Sequence, residues 1–198
     1  MKPVDRILFL FTALLASYQV VQGIDGLTSM AIACYTISFG VIVIASLLLI
    51  ILGFEVLDSP LVIVVSSLIP LSLALGLFTQ FLRPYMILYG IFTVLGFIAI
   101  LITRLVGPRK LAVVVLAVVH GVAGFMIFLL PVIMATRNIT PVGFTLVSLG
   151  GMLIGLGGLL LSLLKTGKPI LSRKKILKAF PALLMLMTTA FVAGFAFV

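Results

Sequence analysis

His120 is the one histidine in a chain of 198 residues, and it falls in the middle of a long apolar stretch. An ionisable group in such a place is costly, which makes it a candidate for proton relay, quinone contact or haem ligation. The plainer alternative is a neutral imidazole bonded to a Ser, a Thr or a backbone carbonyl on a facing helix. One histidine cannot supply two axial haem ligands, so only a His/Met pair stays formally open, with eight methionines present. The acids are equally sparse. Glu55 and Asp58 form one close pair at a break between apolar stretches, where carboxylates cap helices or pair with cations such as Arg104 and Arg109. Acid–base catalysis would need a nucleophile or metal set beside them, and the sequence offers neither. No catalytic residue, metal ligand or cofactor is expected.

Two patterns of small residues are sharper. Ser148, Gly151, Gly155, Gly158 and Ser162 recur at steps of three and four, which lines them along one side of a helix. Ala117, Gly121 and Gly124 repeat the idea beside His120. In lipid, helices gain little from the hydrophobic effect when they meet, so close approach across small residues holds them together. Both sets are therefore expected to be helix-packing faces, used within the chain or between subunits. Pro70 and Pro131 interrupt helices internally, and Ser66, Ser67 and Ser72 stand ready to bond the carbonyls that Pro70 frees. Gln19, Gln22 and Asp25 cluster as a small polar vestibule or as simple interfacial residues.

The third chemical feature is cationic. Lys165, Lys168, Arg173, Lys174, Lys175 and Lys178 crowd one connection, a pattern suited to anionic lipid headgroups or an acidic partner protein. The chain as a whole carries a net charge of +9. Because the basic residues sit at the ends of apolar stretches, this charge points to lipid rather than nucleic acid.

The elements that carry these residues follow from composition. Hydrophobic residues make up 64% and charged residues 9% of the chain, against roughly 45–50% and about 25% in soluble domains. Seven stretches, over 7–22, 28–54, 60–81, 85–104, 111–135, 141–164 and 178–198, are apolar enough to cross a bilayer; the first is short. Asp58 or Ser59 before Pro60, and Thr140 before Pro141, read as helix starts. The expected fold is all-α: one membrane domain over 1–198, a polytopic bundle of seven transmembrane helices.

Charge orients it. Lys2, Arg6, Arg104, Arg109, Lys110, Lys165, Lys168, Arg173, Lys174, Lys175 and Lys178 fall on one side, and Arg83 and Arg137 on the other. Eleven against two predicts a cytoplasmic amino terminus and an external carboxyl terminus. Tyr18, Tyr85 and Tyr89 near the external interface agree. The expected location is the plasma membrane of a prokaryote.

Several activities lack their residues. There is no phosphate-binding Gly-Lys-Ser/Thr loop and no mid-span lysine in the last helix for a retinal. The acids lie at or beyond helix ends, whereas carboxylate-coupled transporters hold them within the membrane. Two readings remain in front. One is a non-catalytic membrane subunit or scaffold of a larger complex, such as an energy-converting one, with other membrane subunits or further copies as partners. The other is a small transporter or channel for a neutral or weakly polar solute, with His120, Pro70 and the glycines around its route. An enzyme acting on lipid or quinone rests on His120 alone.

Overall fold

The structure is a computed structural model that describes residues 1–24, 26–165 and 172–198, without the side chains of 159–165. Its helices are α1 (Pro3–Gln22), α2 (Ser29–Leu52), α3 (Pro60–Ser66), α4 (Leu68–Phe81), α5 (Met86–Leu105), α6 (Arg109–Thr136), α7 (Thr145–Lys165) and α8 (Arg173–Phe195). Among the described residues six stretches are long and apolar enough to cross a membrane, and a shorter apolar helix covers Val142–Gly158. The all-helical architecture follows from the solvent such lengths imply. Lipid offers backbone groups no partners, and a helix satisfies them within itself.

Helix ends differ from the sequence expectation in instructive places. The first helix starts four residues earlier, at Pro3, because Pro suits the first turn and the Asp5 carboxylate accepts from the Lys2 backbone N–H at 2.7 Å. Ser59 occupies the N-cap of α3 but makes no side-chain cap bond. After Thr140 the chain makes a 3-10 turn over Val142–Phe144 before α7 begins at Thr145. The last helix reaches back to Arg173, so Lys174, Lys175 and Lys178 lie on helix. Pro181 thereby becomes an internal proline of α8.

The third span is disturbed only locally: Ser67 keeps helical dihedrals, its N–H donates to the Ile63 carbonyl at 3.1 Å, and the Leu71 N–H donates to the Ser67 carbonyl at 3.4 Å. Pro70 has no N–H to give the carbonyl of Ser66, four residues back. Ser67 stands between α3 and α4. Ser67 Oγ donates to the Val64 carbonyl at 2.6 Å, Ser72 Oγ to Leu68 at 2.6 Å, and Ser38 Oγ from α2 to Ile69 at 3.0 Å. Hydroxyls thus meet the polar backbone near Pro70, as membrane helices require.

Short connections make successive helices antiparallel. The Gly53–Asp58 turn, the 106–108 turn and the start of α8 therefore share one end of the bundle, termed the Asp58 end below. α4 is the central helix: Ile69 through Thr79 is buried without interruption. Tyr35 of α2 lies flat against it at Gly76, where a Cβ would run into the ring, and its hydroxyl donates to Gln80 Oε1 at 2.8 Å. α7, with the turn that precedes it, meets α8 and the residues just after it along glycines spaced by seven. Added Cβ atoms at Gly143, Gly150 and Gly157 would lie 2.5 Å from Phe197, 2.5 Å from Phe191 and 2.9 Å from Leu183. A repeat of seven keeps one face of a helix on its neighbour over several turns.

Candidate functional site

The bundle is not filled at the Asp58 end. A chamber of about 440 Å³ opens among α2, α3, α4, α6, α7 and α8. Ligand sites commonly span about 300–1,000 Å³, so this volume lies well above a packing defect. His120 is on its wall, with Ser66 and Pro70 across from it on the third span. Ala117, Gly121 and Gly124 of α6 and Gly155 and Gly158 of α7 form another part of the wall. Asp58 and Arg173 stand at the open end of the bundle, also on the wall.

The glycines create this space because their two helices diverge. At Gly151 an added Cβ would meet Ile127 Cγ2 at 2.8 Å and the Phe128 backbone nitrogen at 3.1 Å, so α6 and α7 touch there. One turn on, at Gly155, and two turns on, at Gly158, nothing lies within 4 Å of such a Cβ. The same holds at Gly124 and Gly121, the antiparallel counterparts one and two turns back from Phe128 on α6. Side-chain-free surfaces face each other across a widening gap. Over seven residues, about 10 Å of helix, contact becomes cavity.

The expected packing stripe thus divides. Ser148 and Gly151 are buried in helix contacts, and Gly155 and Gly158 border the chamber. The side chain of Ser162 lies outside the described residues. On α6, Ala117, Gly121 and Gly124 all border the chamber, and Ala117 and Gly121, like Gly155 on α7, keep a large accessible surface.

His120 Nδ1 has no accessible surface, toward the chamber or toward the exterior, and makes no hydrogen bond of good geometry among the described residues. The Leu116 carbonyl, one turn back, lies close enough to interact with the ring. A buried polar atom without a satisfactory partner costs roughly 1–3 kcal/mol. Together with Ser66, and with the Ser66 carbonyl that Pro70 cannot bond, His120 offers hydrogen-bonding capacity in an otherwise apolar space.

At the Asp58 end, Asp58 Oδ2 accepts from Arg173 Nη2 at 2.7 Å. Arg173 thus reaches this carboxylate from the start of α8, a partner that the sequence does not suggest. Lys174, Lys175 and Lys178 follow on α8, all exposed. Lys168 and the side chain of Lys165 lie outside the described residues. The other end is shut by rings. Beyond Ala45 and Met187 come Phe39 and Phe191, with centroids 6.5 Å apart, and then Phe195, which contacts Tyr35, Phe39 and Phe144 at 4.7, 6.0 and 6.0 Å. The polar vestibule shrinks to a recess of about 10 Å³ beside Gln19, room for one water at most. Gln19 Nε2 donates to the Gly23 carbonyl at 3.1 Å, and Asp25 lies outside the described residues.

Among the described residues no group of three or more His, Cys, Asp or Glu side chains gathers. The arrangement is suited to reversible binding by apolar contact and a few hydrogen bonds. Sequence reasoning picked out His120, Pro70 and the glycines but not the packing role of Gly143, Gly150 and Gly157, whose seven-residue spacing was the available signal. It also missed the pairing of Asp58 with Arg173, for which a separation of 115 positions leaves no local sign. No known protein family, curated protein or solved structure matches this chain.

Proposed function

We propose that the chain is a membrane carrier whose chamber takes a small, largely apolar solute with few polar groups. The observation that carries this reading is the chamber itself. Space of about 440 Å³ borders the lone histidine, a proline-disturbed helix and facing glycines. Interiors are close-packed, and voids above the size of a water are few. A space this large, with the His120 ring on its wall, fits a bound molecule.

The setting that goes with it is a single domain of seven crossings, with the amino terminus and the Asp58 end on the cytoplasmic side of a prokaryotic plasma membrane. The excess of Lys and Arg at that end supports the orientation. Lys165, Lys168, Arg173, Lys174, Lys175 and Lys178 would then meet anionic headgroups.

Proteoliposomes test the carrier. A panel of small, weakly polar solutes should include one whose flux exceeds that of protein-free liposomes, and Gly124→Leu, which fills the chamber, should cut it about tenfold. Flux equal to the protein-free control across the panel would sink the reading.

One observation favours the alternative of a non-catalytic subunit in a larger complex. Gly121 and Gly155 are exposed with nothing near them, and small residues are where a helix from another chain approaches closely. Copurification with partners in mild detergent would support it, and a lone monodisperse monomer would count against it.

A further inference from the structure

On the carrier reading, the wall of the chamber also specifies the kind of molecule. We infer that it binds a single-chain amphiphile with an anionic head, whose alkyl chain lies between the glycine faces of α6 and α7 and whose head rests beside Arg173.

The lining comes first. Among the described residues that border the chamber, only Asp58, Ser66, His120 and Arg173 have polar side chains. A solute polar along its length would lose its water without replacement partners, at a cost of several kcal/mol per group on the harshest scales. An alkyl chain asks for no partners. Its volume fits as well. At about 440 Å³ the chamber is within the range of small-molecule sites and has room for one alkyl chain.

Access is the second argument. Ala117, Gly121 and Gly155 border the chamber and carry ample accessible surface. A gap between α6 and α7 at these small residues would join the chamber to the surface that a bilayer's acyl chains cover. A molecule already dissolved in the bilayer reaches it sideways, between α6 and α7, without crossing water. The absence of side chains at Gly121, Gly124, Gly155 and Gly158 keeps this slot open.

Charge fixes the head. Arg173 sits on the chamber wall at the Asp58 end, and Lys174, Lys175 and Lys178 follow it on the first turns of α8. Against these four cations stand Glu55 and Asp58. An anionic head gains from this field, and a carboxylate or phosphate oxygen can share the Arg173 fork with Asp58. His120 and Ser66, deeper in, can bond a hydroxyl or ester near the head.

The test uses full-length protein in nanodiscs of zwitterionic lipid and measures equilibrium binding of three radiolabelled probes: palmitate, lysophosphatidate and uncharged monopalmitin. At least one anionic probe should bind saturably, at least tenfold tighter than monopalmitin. The two anionic arms separate a carboxylate ligand from a phosphate one. Gly124→Leu/Gly155→Leu should weaken that binding at least tenfold with its unfolding temperature preserved; should the pair fail to fold, Gly155→Ile alone serves. Arg173→Gln should bring the anionic probe down to the level of monopalmitin. Equal affinity for monopalmitin overturns the anionic head. Binding untouched by filling the slot overturns the site, and no saturable binding overturns both. Binding without flux would remove the carrier and leave the site standing; flux of other solutes without amphiphile binding would do the reverse.

Discussion

Asp58 accepts a hydrogen bond at 2.7 Å from Arg173, joining the turn before α3 to the first residue of α8 across the open end of the chamber. Both side chains are more than half exposed, at 59% and 55%. That exposure decides what the pair can do. Solvent-exposed ion pairs contribute about 0–1 kcal/mol to stability, so this one is better placed to hold two walls in position than to hold the fold together.

Asp58→Asn is accordingly expected to leave the unfolding midpoint within about 1 kcal/mol of the parent. The opening should respond more. In a Cys34→Ala background, a cysteine placed at Ser66 should react several-fold faster with a water-soluble maleimide once Asp58 is neutralised. The charge swap Asp58→Arg/Arg173→Asp should restore the slow rate. An identical rate in all three would mean that the pair restrains nothing.

The divergence of α6 and α7 predicts opposite signs one turn apart. Gly151→Ala places a methyl 2.8 Å from Ile127 and 3.1 Å from the Phe128 backbone, an overpacking expected to cost about 1–3 kcal/mol. Gly155→Ala meets open space and improves helix propensity, so stability should hold or rise by up to about 1 kcal/mol. Unfolding of both variants in the same detergent is the check. Equal losses would mean that the two helices stay in contact past Gly151.

His120→Leu separates a structural histidine from a binding one. If the imidazole held helices together, its removal would destabilise the protein. With Nδ1 lacking a bond of good geometry, the substitution removes an unsatisfied polar group, and unfolding resistance should stay level or increase. Ligand binding should fall at the same time, the usual exchange of stability for function at a site. A clear loss of stability would return His120 to a purely architectural role.

Orientation has its own check. Cysteines added at Lys2 and at Val198, again without Cys34, should label from opposite faces of intact membranes or spheroplasts, the second from outside. Labelling of both from one face would contradict seven crossings.

Much of the scaffold was legible because it depends on length and polarity alone. The apolar stretches set the helices, and Pro60, the Arg83-Pro84 step and the Gly107-Pro108 step set their breaks. The helix from Arg173 was hidden because its first turns carry lysines, which read equally well as a connection. The chamber was half legible. His120, Pro70 and the glycines stood out by type, but a repeat of small residues reports only that a helix can be approached. Whether it is approached depends on where the neighbouring helix goes, and that is decided by Ile127 and Phe128 against Gly151, contacts made 23 or more positions away in the chain. The α8-facing glycines at 143, 150 and 157 were concealed by the denser run beside them.

The rings of Tyr35, Phe39, Phe144, Phe191 and Phe195 give the molecule a stiff pole. Interlocked aromatics restrain one another, whereas at the opposite pole the solvated Asp58–Arg173 contact joins helices that splay. Thermal motion is thereby distributed unevenly along the membrane normal. Amide exchange should be slowest around Phe39 and Phe191 and quickest toward the start of α8.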